Sequence, residues 1–292
     1  MKYECDMQVH SSYSADGAYT PDVIFARAKK IGLKGLVITD HNVTAGIGPS
    51  LIAAKKYKIA TLQGIEISTK YKGADIHILG YSTRFDFKVL EKGMKKTIAG
   101  YNSRSMAIAK KVNRLKIARV DFKKLLAKTR TFVSKVNIAQ IIARQEKITL
   151  PQALKFVERG GPAFIPYGQW AMSPEDAVEL IHRAGGIAVF AHPGDMFYSR
   201  SVYTKRQAKK IIQELLKKLL QLSLDGIEVY YPTHTKKDTQ YFISIAKKYN
   251  LLVTGGSDWH SEEKNPNMSL AKTGVSFSQF QKIFQYIKNM KQ

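Results

Sequence analysis

Six of the seven histidines in this 292-residue chain, His10, His41, His77, His192, His234 and His260, stand in or at the end of short apolar runs that also carry acidic residues. Only His182 lies elsewhere. Imidazole and carboxylate side chains, in a chain with a single cysteine, are the donor set for Zn, Mn or Fe. Several such ions a few ångströms apart could generate hydroxide at neutral pH and clamp the oxygens of a phosphoryl group in line with attack. A carboxylate can bridge two ions because it has two oxygens, and Glu66 and Asp258 are the natural candidates.

Those residues need elements that bring them together. The runs are YECDMQVH (3–10), GLVITDH (35–41), IATLQGIE (59–66), ADIHILGY (74–81), GIAVFAHP (186–193), GIEVYYPTH (226–234) and LLVTGGSDWH (251–260). They are rich in β-branched residues, and reading a helix after each predicts the βα alternation of a parallel sheet or barrel. Strand ends converge on one face of a β/α barrel, so residues far apart in sequence can share a pocket. Alternation along a strand puts Asp6, Gln8 and His10 on one side, and likewise Asp258 and His260. The strand signal vanishes between 88 and 170, where helical spacing covers 92–116, 121–128 and 135–159. The expected organisation is a barrel domain of 1–87 and 171–292, split by a helical insertion domain of 88–170. Helix 205–222 has an Ile and Leu stripe suited to a core face.

The chain carries 47 basic and 23 acidic residues, a net +24, which favours polyanionic substrates or partners. Residues 88–160 alone hold 19 Lys and Arg against 4 Asp and Glu, or +15. Either a surface that tracks phosphates or a solvated Lys-rich surface would have this composition. No apolar run approaches the ~20 residues of a membrane span, and the first ten residues are too polar for a signal peptide, so a cytoplasmic protein is expected. The lone Cys5 excludes an internal disulfide and suits a buried, inert thiol. Tyr230, Tyr231 and Trp259 could stack on a base or pack between strands. Arg104, Arg130 and Arg144 share the basic segment with Lys135. His182 reads as a surface or helix-end residue.

The segments DMQVHSSYSADGAYTP, ITDHN, GIEIS, IHILGY, FAHPG and GGSDWH resemble, in order and spacing, the motifs of the polymerase and histidinol phosphatase (PHP) superfamily. The helical segment followed by PAFIP and HRAGGIAVFAHPG is most similar to the branch of nucleoside 3',5'-bisphosphate phosphatases and 5'-3' exoribonucleases. The resemblance implies a distorted (β/α)7 TIM-like barrel holding two or three divalent ions, Mn, Zn or Fe. It implies that His10, Glu66 and Asp258 hold one ion, with Glu66 bridging to a second held by His77 and His192. Asp16, His41 and His260 would hold a third. Asp40 is expected to orient its neighbouring ligand, with Asp6 in a similar supporting role. His234, Asp258 and His192 are the expected catalytic residues, and His234, Lys135 and Asn137 the substrate-binding ones.

Two departures from the family pattern stand out. The opening His-x-His motif reads Gln8-Val9-His10, which puts a weak amide ligand at the first position. The insert motif Arg-x-His-Ile-Ala reads Lys135-Val136-Asn137-Ile138-Ala139, which keeps a charge but loses the bidentate arginine fork.

The expected function is hydrolysis of phosphate esters of nucleotides or short RNA or DNA by metal-activated hydroxide. The alternatives are a phosphatase of a small non-nucleotide metabolite and a basic nucleic-acid-binding module with a decayed metal site. The sequence leaves the oligomeric state open.

Overall fold

The computed structural model describes residues 3–129, 131–198, 203–262 and 269–290. It opens with β1 (Cys5–Val9), α1 (Pro21–Lys30), β2 (Gly35–Ile38) and α2 (Ile47–Tyr57). Then β3 (Gln63–Tyr71) and β4 (Ala74–Ser82) follow with no helix between them. Next come α3 (Phe87–Arg114), α4 (Phe122–Lys128), α5 (Lys135–Glu146) and α6 (Leu150–Val157). Alternation resumes with α7 (Pro174–Arg183), β5 (Ile187–Phe190), α8 (Asp195–Tyr198), α9 (Lys205–Gln221), β6 (Gly226–Tyr230), α10 (Lys236–Tyr249), β7 (Leu252–Gly255) and α11 (Phe277–Asn289).

This α/β arrangement departs from the expected distorted (β/α)7 barrel in two ways. First, β3 and β4 pair antiparallel in register from Gln63↔Ser82 to Tyr71↔Ala74. The turn between them is Lys72-Gly73, both with positive φ (48° and 82°). Two consecutive positive-φ residues reverse a twisted strand pair in the shortest loop, so no crossover helix is needed. Second, the strands form two ladders rather than one closed sheet: β1 with β2, and β3-β4-β5-β6-β7 in that order. Single bridges connect them, Gly35↔Ala60 and His41↔Glu66 on one seam and Val9↔Trp259 on the other. The ladders stop there for a local reason. Asn42 and Asp258, next to the bridging positions, have left-handed φ values of 52° and 50°, a conformation that cannot continue a ladder.

The apolar side chains sort with these elements. Ile65, Ile67, Ile76 and Ile78 of the hairpin pack with Ile181 of α7, Leu215 of α9 and Phe242 of α10. Val9, Leu36 and Ile38 pack under Ile24 and Phe25 of α1 and Ala53 of α2. The stripe read at 205–222 is buried as Ala208, Ile211, Ile212, Leu215, Leu216 and Leu219. A separate cluster, including Ile108, Val112, Ile138, Ile142, Ala153 and Val157, joins α3, α5 and α6. The spacing at 135–159 predicts one helix, but α5 ends at Lys147 in a left-handed cap and α6 restarts through a Thr149/Gln152 capping box. That cap and Pro151, at the start of α6, make the break.

Candidate metal centre

His10 follows β1, His41 lies just past β2, His192 just past β5, and Asp258 and His260 past β7. Glu66 comes from within β3. His77 comes from the first half of β4, since a strand antiparallel to its neighbours offers its N-terminal half to the same end. The register of β1 against β2 slips between Asp6 and Val9, so simple alternation does not carry through that stretch. His192 and Asp258 adopt φ of 25° and 50°, a strained backbone of the kind that persists where surrounding structure over-determines a site.

Glu66 is fully buried and central. Its Oε1 lies 2.7 Å from His77 Nδ1 and 3.1 Å from His192 Nε2. Its Oε2 lies 3.0 Å from His10 Nε2 and 3.8 Å from His41 Nδ1. His10 Nε2 is also 2.9 Å from Asp258 Oδ1. Asp16 Oδ2 approaches His260 Nε2 at 3.3 Å and His41 Nε2 at 3.9 Å. The ring of His10 stacks on those of His260 and His41, with centroids 4.1 and 4.6 Å apart.

The donor atoms sort into three overlapping groups, each within 4.8 Å: His10, Glu66 and Asp258; His41, Glu66 and His77; and His10, Asp16, His41 and His260. The structure thus brings together all eight expected metal ligands, with His192 joining through Glu66 rather than within one of these groups. His10 Nε2, Glu66 Oε2, Asp258 Oδ1, His77 Nδ1 and His260 Nε2 are buried with no aligned hydrogen bond. Buried polar atoms are normally paired, so close approach without alignment is what a shared cation, sitting between the atoms, would resolve. The residues therefore fit divalent ions.

The electrostatics agree. Burial works against ionising Glu66, but the imidazoles around it hold its carboxyl well below the usual range. Burial likewise opposes protonation of His10, yet contacts with Asp258 and Glu66 raise it well above an ordinary imidazole. His192 is carried to about 10 by Glu66 in spite of its burial. Burial dominates at His41 and lowers it to about 3, which leaves a neutral ring with lone pairs to donate.

Supporting bonds fix these groups. Asp40 accepts from Ser11 N and Ser11 Oγ, both at 2.6 Å, and so holds the segment following His10. Asp6 accepts from Ser257 N and Ala271 N at 2.9 Å and from Ser257 Oγ, bracing the end of β7; burial pushes its pKa up to about 6. Gln8 is buried with neither amide atom hydrogen-bonded. Three positioning groups escaped the sequence reading. Tyr231 donates to Asp258 Oδ2 at 2.8 Å, Ser68 Oγ lies 3.2 Å from His41 Nδ1, and Ser14 donates to Asp16 Oδ1 at 2.7 Å. Buried Glu228, which accepts from His192 N at 2.9 Å, is a fourth. Ser68 was findable, two residues along the strand face from Glu66. Glu228 also had a signal, a carboxylate inside the apolar run GIEVYY.

Other expected residues sit differently. His234 stands apart from the three groups. Its Nδ1–H donates to Val229 O at 2.8 Å, its Nε2 accepts from Gly194 N at 3.1 Å, and burial lowers its pKa. Both ring nitrogens are therefore engaged by backbone. Asn137 is occupied too: its Oδ1 accepts from Ser134 N at 2.8 Å in the α5 capping box, and its Nδ2 donates to Ala15 O at 2.6 Å. Buried Trp259 stacks on Tyr19 at 5.4 Å, and with Tyr231 bonded to Asp258, neither presents a face for a base. His182 pairs with Asp225 at 2.8 Å. Burial pushes the Cys5 thiol up to about 12, so it is inert at neutral pH. Arg130 lies outside the described residues.

A cavity of about 950 Å³ opens beside the cluster. His77 and His192 line it together with the cations Lys70, Arg104, Lys135 and Arg159 and the acids Asp75, Glu158 and Asp195. Lys135 is one of these lining residues, and its Nζ is 3.4 Å from Glu158 Oε1.

A family model, the PHP domain, matches residues 6–229. The chain belongs to the PHP family. A 5'-3' exoribonuclease of Haemophilus influenzae is 31% identical over 89% of this chain and 91% of its own length. A 3',5'-nucleoside bisphosphate phosphatase of Chromobacterium violaceum is 29% identical over 88% and 87%. In fold, this PHP chain is similar to a solved structure of an amidohydrolase from Chromobacterium violaceum, with a TM-score of 0.80, 24% identity and coverage of 97% and 96%. No helix among the described residues is long and apolar enough to cross a membrane.

Proposed function

We propose that this PHP-family chain is a metal-dependent phosphoesterase that hydrolyses phosphate esters of nucleotides or short oligonucleotides. The observation that carries the reading is the convergence of buried His, Glu and Asp donor atoms without aligned hydrogen bonds around Glu66, beside a cavity also lined by Lys70, Arg104, Lys135 and Arg159. The relatives named as exoribonuclease and bisphosphate phosphatase support it. Two or three divalent ions, Mn, Zn or Fe, are held in this reading by His10, Glu66 and Asp258, by His77 and His192 with Glu66, and by Asp16, His41 and His260. When bound, such ions activate water and neutralise phosphoryl oxygens.

The chain's own groups do the rest. Glu66 offers one oxygen to each of two neighbouring sites. Tyr231 ties down one oxygen of Asp258 and leaves the other facing His10. Lys135 and Arg104 orient the phosphate-bearing part of the substrate from the insert side. His234 serves as acid or phosphate contact only when its ring turns away from Val229 and Gly194. Residues 88–170 form the substrate-side unit of a barrel contributed by 1–87 and 171–292, with the two ladders as the halves of a barrel parted at two seams.

The test is release of phosphate or mononucleotides from 5'-phosphorylated short RNA or a nucleoside 3',5'-bisphosphate with Mn, Zn or Fe added. Turnover that is lost in Asp258→Ala supports the reading; no turnover on either substrate with any of the three metals would falsify it. Oligonucleotides should also inhibit turnover of an aryl phosphate, which a small-metabolite phosphatase would not show.

A further inference from the structure

The β3–β4 hairpin runs out of the cluster and into the cavity wall. Its cross-strand pairs are Glu66↔Leu79, then Ser68↔His77, then Lys70↔Asp75. Alternation puts Glu66, Ser68 and Lys70 on one face, and two residues of strand advance ~7 Å, so Lys70 stands ~14 Å along the strand from Glu66. The first of these residues centres the cluster and the second lies against His41. The third lines the same cavity as His77 and His192.

Lys70 is held in an unusual place for a lysine. Its side chain is 13% exposed, its ammonium lies 3.3 Å from the centroid of the Tyr167 ring, and it pairs with Asp75. Arg104 from α3 stacks on the same ring at 4.1 Å. Lys135 from α5 and Arg159, beyond α6, add charge to the wall, and Glu158 is the nearby acid that pairs with Lys135. Cations crowded on a half-buried wall repel one another, and an entering anion relieves that repulsion.

We propose that Lys70 is a specificity-determining residue that recognises a second anionic group of the substrate, while the hairpin face sets the distance between that group and the phosphate at the cluster. The inference rests on the phosphoesterase reading. Burial and, after it, the charges of Lys135, Arg104 and Arg159 push the Lys70 ammonium down to about 6. Asp75 beside it works the other way and favours the ammonium, and a bound second anion favours it further. An arginine in its place stays charged throughout and takes up none.

The experiment uses adenosine 3',5'-bisphosphate as the probe and the Mn-loaded full chain. Calorimetry in buffers of different ionisation enthalpy, with the bisphosphorothioate analogue of the probe, whose hydrolysis is slow, measures affinity and proton uptake together. With Lys70 intact, binding at pH 7 takes up more protons than with Lys70→Arg, and the difference cancels the probe's own phosphate ionisation. Lys70→Met weakens binding of the bisphosphate about tenfold more than it weakens adenosine 5'-monophosphate. In the active enzyme the same excess falls on KM rather than kcat. Equal proton uptake by the lysine and arginine forms, or equal loss for the two nucleotides in Lys70→Met, overturns the proposal. If the methionine variant does not fold, the arginine comparison still decides. Failure of the phosphoesterase reading looks different: no phosphoester is turned over, whatever Lys70 does to binding.

Discussion

The cluster around Glu66 and the basic cavity lining beside it are both dense in charge, and they hold it in opposite ways. At the cluster a fully buried carboxylate has four imidazoles within 3.8 Å, and each donor atom has one place to be. On the wall, Lys70, Arg104, Lys135 and Arg159 come from separate elements, share Tyr167 and Glu158 as neighbours, and border open space. A buried group deprived of its partner suffers the full cost of desolvation, whereas one cation of several can be covered for by the rest. Single substitutions should therefore be severe at the cluster and graded on the wall.

The largest effect is expected from Glu66→Gln or Asp258→Ala. Either should lower turnover by about a thousandfold or more, because a bridging or terminal ligand is lost from groups that act as a unit. Metal analysis of the purified variants should show fewer ions per chain than the parent. Retention of both activity and metal would erase the contrast drawn above.

Metal removal comes next. An ion at about a thousand times its dissociation constant stabilises the folded state by ~4 kcal/mol, so chelation should lower Tm by several degrees. The pH dependence sharpens this. In the metal-free protein His192 has a pKa raised to about 10, above the ordinary 6.5. The proton on His192 then stabilises the fold fully below pH 6.5, and that contribution disappears as pH rises toward 10. Chelated protein should lose Tm over that window while loaded protein loses less, since an ion replaces the proton. Metal binding at pH 7 should release protons, which a pH indicator can count.

Lys135→Ala probes the wall. With Arg104, Arg159 and Lys70 still present, KM for a nucleotide substrate should rise by about tenfold at most while kcat changes little. A thousandfold loss would mean that the wall is as exacting as the cluster.

The two regions also differ in how plainly the sequence announces them. His, Asp and Glu at strand ends stand out because strands have little structural use for them, and the residues His10, Asp16, His41, Glu66, His77, His192, Asp258 and His260 do meet in space. The hairpin did not stand out. An apolar run before Lys72-Gly73 and another after it look the same whether a helix or a tight turn separates their neighbours, and only the positive φ of both turn residues decides. Lys70 was hidden for a related reason: in a chain with 47 basic residues, one more lysine on a strand carries no signal until burial and the faces of Arg104 and Tyr167 are known. For Tyr231 the sequence allows a platform for a base or packing between strands, and only the position of its hydroxyl identifies it as a prop for Asp258.

Asn137 gives the smallest and most discriminating effect. Its place in the insert motif marked it for substrate, but its Oδ1 completes the cap of α5 and its Nδ2 reaches across to Ala15, beside Asp16. Removing a cap partner costs ~1 kcal/mol, so Asn137→Ala should lower Tm by a few degrees. The lost bond to Ala15 loosens the loop that carries Asp16, so metal affinity should fall slightly while the ratio of KM between singly and doubly phosphorylated nucleotides holds. A change in that ratio with Tm preserved would put Asn137 back among the substrate contacts. It would also show that the wall recognises substrate through neutral groups as well as cations, which is the point at which the contrast between the two regions would fail.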